Sequence, residues 1–163
     1  MNPRILVLIG LALAALAPAV HGGEAQGWAV SLGGFNLADD STPEAGVEYR
    51  LAPFAKVRRG AFLPAVGVSG TSDGNVWVYG SLRFDWRLDE RWTVTPQVGA
   101  SLYEDDDGLD LGGPLEFRSG LELTYRLARG ARLGFVFYHL SNARIYDDNP
   151  GSNSLVVTYG FGR

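Results

Sequence analysis

The chain contains no cysteine, a single methionine and only two histidines in 163 residues. Without cysteine there is no disulfide framework, no thiolate metal site and no cysteine nucleophile. A basic excess is missing too: 14 Lys and Arg stand against 18 Asp and Glu, for a net charge of -4. A nucleic-acid partner calls for a basic stripe, so that class is set aside. Beyond the N-terminal segment no apolar run approaches the ~20 residues that a membrane-spanning helix needs. No ligand set for a metal or a cofactor stands out, and neither is expected. One histidine, His21, lies in the leader, which leaves His139 alone in the body of the chain.

What is present begins with that leader. MNPRILVLIGLALAALAPAVHGG has a positive residue, Arg4, an apolar run from Ile5 to about Ala17, then small residues. This is the layout of a secretory signal peptide rather than a membrane anchor. Residues 1–22 are assigned to it, with the cleavage point left open between 19 and 25. The remaining residues, 26–163, are short enough for one domain.

From Gln26 onward the apolar residues alternate with a period of two. In a strand, residues i and i+2 share a face, and the pattern recurs eight times. The fourth segment sets Val76, Val78, Gly80, Leu82, Phe84, Trp86 and Leu88 against Trp77, Tyr79, Ser81, Arg83, Asp85 and Arg87. The sixth sets Leu115, Phe117, Ser119, Leu121, Leu123, Tyr125 and Leu127 against Glu116, Arg118, Gly120, Glu122, Thr124 and Arg126. Charged residues at this density cannot line a dry core unless they pair. A soluble sandwich or lipocalin-type barrel would turn the apolar face inward. A membrane barrel turns it to lipid and keeps acids and bases for the lumen, with about 9 to 11 residues per crossing strand. The expected fold is therefore all-β, an eight-stranded antiparallel transmembrane β-barrel of the bacterial outer membrane. A pore is disfavoured, because eight strands enclose a lumen that side chains fill.

Pro96 interrupts the fifth segment and cannot donate to a ladder. The connection Phe54 to Phe62, FAKVRRGAF, is long for a barrel whose turns on that side should be short. The loop Glu104 to Gly113, EDDDGLDLGG, reads as a solvated acidic loop; its spacing does not match an EF-hand. With both termini periplasmic, the Asp73-Gly74 turn, this acidic loop and the stretch Asn142 to Ser152 are external.

The seventh segment sets His139 and Ser141 on the same parity as Leu133, Phe135 and Phe137. A serine and a histidine on an apolar, lipid-facing wall stand where ester linkages of an outer-leaflet lipid would lie. Serine becomes a nucleophile when a base takes its proton, and a third group holds the base in the right tautomer. Pairing of position 141 with 153 would bring Asn153 into the same patch, and Asn142 could supply an oxyanion donor.

YHLSNA, followed by NPG and a final strand ending in aromatics, resembles the outer-membrane lipid A 3-O-deacylase (PagL) family over Tyr138 to Phe161, and the eight-segment pattern fits it across the chain. The resemblance implies a serine esterase that removes the 3-linked hydroxyacyl chain from the lipid A of lipopolysaccharide at the outer leaflet. Ser141 would be the nucleophile, His139 the base, and Asn142 would fall on the oxyanion region. The partners implied are lipopolysaccharide and membrane lipids, with a homodimer left open and no cofactor. Two positions depart from the family pattern. Asn153 stands where the family has an acid, and Arg144 stands where its best-known members have glycine. Asp147 or Asp148 could substitute for the missing acid. A catalytically impaired or non-enzymatic barrel of the same fold, structural or lipopolysaccharide-binding, is the alternative.

Overall fold

A computed structural model describes residues 26–161, so the leader and its cleavage site, like Gly162 and Arg163, lie outside the described residues. The strands are β1 Gly27–Phe35, β2 Thr42–Arg50, β3 Ala55–Val57, β4 Gly60–Thr71, β5 Val76–Arg87, β6 Trp92–Glu104, β7 Leu115–Arg126, β8 Arg132–Ser141 and β9 Ser152–Phe161. All pairings are antiparallel, and sequential neighbours pair except around β3. Pairing of β1 with β9 and of β2 with β4 closes the sheet into an eight-stranded barrel. The short β3 stands outside that count. It folds back on the start of β4, Ala55 opposite Phe62, so the awkward FAKVRRGAF connection is a hairpin and β4 begins at Gly60 rather than at Leu63.

The eight wall strands run 9 to 13 residues, long enough to cross a bilayer at a tilt. Their alternation is the one read from the sequence. Leu32 is 68% exposed, Val98 59%, Phe135 56% and Leu121 52%, whereas Arg83, Glu116 and Glu122 on the opposite parity are buried. The apolar face looks out, which rules out a soluble barrel. At the end where β1 begins and β9 ends, rings touch in pairs, Trp28 with Tyr49, Phe84 with Trp86, Trp92 with Tyr125 and Tyr159 with Phe161, as amphipathic rings gather at a membrane interface. At Pro96 the β5–β6 ladder skips two pairs between Arg83–Gln97 and Trp86–Val94, since proline has no N–H to give.

Apart from the connection 51–59, the turns at the end where β1 begins and β9 ends are short. That of residues 88–91 is tied by Asp89, whose Oδ1 accepts the N–H of Arg91 at 2.7 Å and of Trp92 at 2.8 Å. Those two donors hold its carboxyl below the usual range. The opposite end carries the longer loops of residues 105–114 and 142–151.

Inside, two layers fill the barrel. Near the long-loop end, Phe35, Trp77, Tyr103, Leu111, Tyr138 and Leu140 form an apolar plug. Below it Glu48 accepts from Arg50 at 2.9 Å and Arg83 at 3.1 Å, while Glu122 accepts from Arg50 at 2.9 Å, from Arg83, and from Thr158 at 2.9 Å. Asp85 pairs with Arg132 at 3.3 Å, and Arg118 lies 3.9 Å from the centre of the Tyr138 ring. The cavity left among these groups is about 20 Å³, room for roughly one water. No solute passes through such a lumen.

Candidate active site

β8 delivers the site because its neighbours are fixed on both sides of it. Leu140 and Asn142 are fully buried inside the barrel end, so the residues between them and beside them, His139 and Ser141, stand on the outer wall. The hairpin register differs from the expected one. His139, not Ser141, lies opposite Asn153, and Leu140 lies opposite Ser152. A shift of two residues keeps the parity, so the same three side chains share the outer face. What changes is which of them touch.

The imidazole Nδ1 of His139 lies 2.9 Å from Oδ1 of Asn153. A carbonyl oxygen can only accept, so Nδ1 carries the proton and Nε2 keeps its lone pair. That is the tautomer a general base needs. The ring's Cε1–Nε2 edge lies over Gly151, where a β-carbon would sit 2.9 Å from Cε1 and 3.2 Å from Nε2. Gly151 is next to Ser152 on the side toward the long loops, so the free nitrogen is turned toward the level of Ser141. No hydrogen bond joins the Ser141 hydroxyl to the imidazole; contacts of this kind tighten when substrate is engaged. Asp147 and Asp148 are exposed in the loop, and Asn153 occupies the nitrogen either would need.

Asn142 is built differently from its expected role. Its Nδ2 donates to the carbonyls of Leu111 at 2.8 Å and Asp148 at 2.7 Å, its Oδ1 accepts from Arg144 N–H at 2.9 Å, and its own N–H donates to Asn149 Oδ1 at 3.0 Å. Every donor it has is committed to the loop. The turn it anchors is closed by Ile145 N–H on the Asn142 carbonyl at 3.1 Å, with Ala143 at φ 53° and Arg144 at φ 63°. Those left-handed angles suit glycine and strain a residue with a β-carbon. A glycine at the Arg144 position would relieve that strain, and arginine there bears it.

Three contributors escaped the sequence reading: Asn149, which ties the loop to Asn142; Gly151, which makes room for the ring; and Ser119 of β7, the partner of His139 on its other side. Ser119 carried a readable signal, a lone hydroxyl on an apolar strand face. Asn149 and Gly151 are visible as the ends of the NPG motif, but their separate roles depend on the loop's path.

A profile of the family described as lipid A 3-O-deacylase (PagL) matches residues 44–162. The chain belongs to this family. It is 27% identical over 137 residues to the lipid A deacylase PagL of Bordetella bronchiseptica, covering 82% of this chain and 68% of that one. The crystal structure of the outer membrane enzyme PagL superposes with a TM-score of 0.66 at 14% identity, covering 83% of this chain and 99% of that one. A backbone structure of the Yersinia pestis outer membrane protein Ail gives a TM-score of 0.49 at 12% identity, over 83% of this chain and 99% of that one. As a PagL-family barrel the protein is an ester-hydrolysing enzyme of the bacterial outer membrane.

Gly151 supplies the first expectation. At φ 65° any side chain is strained, and the ring is the movable neighbour. Gly151→Ala is expected to displace the imidazole while the barrel still folds, cutting kcat about a hundredfold, the usual penalty for misplacing a catalytic group by about 1 Å. Steady-state kinetics beside the gel mobility of the folded barrel check this. An unchanged kcat means the ring does not depend on the glycine.

Proposed function

We propose that the chain removes the 3-linked hydroxyacyl group of lipid A by nucleophilic catalysis at its outer wall, with the long-loop end of the barrel facing outside. The 2.9 Å contact between His139 Nδ1 and Asn153 Oδ1 on the lipid-facing surface carries the reading. Lipid A lies in the outer leaflet, and its ester linkages sit at the depth where strands meet external loops. Ser141 attacks the ester carbonyl as Nε2 of His139 takes its proton. The imidazolium then returns that proton to the sugar oxygen as the bond to carbon breaks. Water enters, the same nitrogen activates it, and the acyl-serine is hydrolysed to the free hydroxy acid.

Asn153 does part of what an acid would do. It fixes ring orientation and tautomer but adds no charge to stabilise the imidazolium. Replacing aspartate by asparagine in a serine protease lowers turnover by about 10⁴, a loss ascribed to the wrong tautomer; here the acceptor oxygen already faces Nδ1, so the deficit is the smaller, electrostatic one. Asn142 works through the loop, tying down Asn149 and leaving the latter's NH₂ as an uncommitted amide donor for the oxyanion.

Mass spectrometry of lipid A from cells producing the chain tests the function. The expected result is loss of the mass of one hydroxyacyl group; an unchanged pattern with folded barrel in the outer membrane overturns it. Asn153→Glu sharpens the question of rate. It is expected to raise kcat about tenfold or more through a charge-assisted contact to Nδ1. No gain, with the barrel folded, would show that the amide already suffices. No hydrolysis by either protein would leave the structural, lipopolysaccharide-binding role that the missing acid favours.

A further inference from the structure

The outward face of the barrel contains very little that can hydrogen-bond. Among the described residues, β1, β2, β4, β5 and β6 turn only apolar and aromatic residues outward, apart from Glu104 at the long-loop tip of β6. On β7, β8 and β9 the outward polar side chains, tyrosines aside, are Ser119, His139, Ser141 and Asn153. The four form one patch. Asn153 is opposite His139 on one side, and Ser119 is opposite it on the other. Three of them have roles in the reaction proposed above, and the fourth has none.

Ser119 is exposed on the wall, and no protein group accepts or donates to its hydroxyl. A hydroxyl held against hydrocarbon without a partner is unfavourable, so its place beside the site calls for a partner from the lipid. Ser119 is diagonal to Ser141, whose direct partner on β7 is Phe117. Diagonal neighbours stand about 7 to 8 Å apart. With the ester carbonyl at Ser141, the acyl chain leaves the long-loop end and descends along Phe117, Leu121 and Phe137, three exposed apolar side chains. The second carbon beyond the carbonyl carries the hydroxyl of a 3-hydroxyacyl chain. That short link plus an O–H···O bond of about 2.7 Å spans the gap to Ser119.

We propose that Ser119 forms a subsite that hydrogen-bonds the 3-hydroxyl of the scissile acyl chain and selects hydroxyacyl over unsubstituted acyl esters. The proposal rests on the deacylase reading, because it takes the ester carbonyl to be at Ser141. A site with an unpaired polar group discriminates against a ligand lacking the matching one, since the group then stays unpaired in an apolar setting.

The test uses the purified full-length chain in detergent micelles and two synthetic glucosamine esters of equal length, one with a 3-hydroxyacyl and one with an unsubstituted acyl chain at position 3. The wild-type chain is expected to favour the hydroxyacyl ester about tenfold in kcat/KM, the worth of one hydrogen bond. Ser119→Ala brings that ratio to about one, and Ser119→Thr, which keeps the hydroxyl, retains most of it. Binding of the same two esters, measured with Ser141→Ala present so that neither is consumed, shows the same change in the Kd ratio. A ratio that Ser119→Ala does not move, in kinetics and in binding, overturns the subsite while hydrolysis itself leaves the deacylase reading standing. A wild-type chain that hydrolyses neither ester overturns the deacylase reading, and with it the subsite as placed.

Discussion

Ser141→Ala is expected to leave a folded barrel that removes no acyl chain, with turnover down at least about 10³-fold. The substitution costs the fold little. Ser141 is the last residue of β8, on the outer wall, and its hydroxyl is bonded to nothing in the protein. The proposed reaction loses its nucleophile; Asn153 is committed to the imidazole, and Ser119, opposite His139 on β7, stands two residues away from the level of Ser141. What survives is water activated by His139 at a bound ester, a route that lacks the positioned attacking atom. Lipid A mass spectra and single-turnover assays on purified protein measure the effect, with heat-dependent gel mobility to show that the barrel has formed. Activity within tenfold of wild type would mean that the bond is broken by another group.

The sequence carried the barrel because the inside–outside rule of a membrane wall writes itself as strict alternation over segments of about ten residues, and little competes with that signal. The same parity places Ser141 and His139 on the outer face. It places Asn142 as well: it shares the parity of Leu140 and so points inward, where its amide donates to loop carbonyls. Register was not legible. Pairing Ser141 with Asn153 encloses as many residues as the observed pairing of Leu140 with Ser152, so loop length does not choose between the registers; the path does, and in it Ala143 and Arg144 take left-handed angles that their residue types do not announce. An error of two residues preserved every face and altered every neighbour, and so it hid the direct contact of His139 with Asn153.

The position of Asn153 also separates two properties that an acid usually supplies together. Orientation needs only an acceptor oxygen at hydrogen-bond distance, and Oδ1 provides one at 2.9 Å. Stabilisation of the imidazolium needs charge, whose effect is largest where water is excluded. On a lipid-facing wall the polarity changes steeply with depth, and Asn153 is two residues deeper along its strand than Gly151 at the loop. A carboxylate there would be costly to desolvate whenever the ring is neutral. The amide avoids that cost.

Glu122→Leu is expected to destabilise the barrel by about 3 to 5 kcal/mol, the usual result of deleting one partner from a buried ion pair. Glu122 is fully buried and accepts from Arg50, Arg83 and the Thr158 hydroxyl. Without it, Glu48, 2.9 Å from Arg50 and 3.1 Å from Arg83, and Asp85, 4.0 Å from Arg83 and already paired with Arg132 at 3.3 Å, are left with three guanidinium groups in a lumen with room for about one water. The stranded charge, more than the lost contact, sets the magnitude. Glu122→Gln separates the two, since the amide keeps an acceptor and the packing volume but not the charge. Denaturant unfolding in micelles, followed by the fluorescence of Trp77 and its neighbours, is expected to rank wild type above Glu122→Gln and Glu122→Leu below both. Hydrolysis per folded molecule stays at the wild-type level, because the reacting groups stand on the other side of the wall. A Leu variant as stable as wild type would show that Arg50 and Arg83 find other partners in the lumen and that the ion pairs are not what holds the barrel closed.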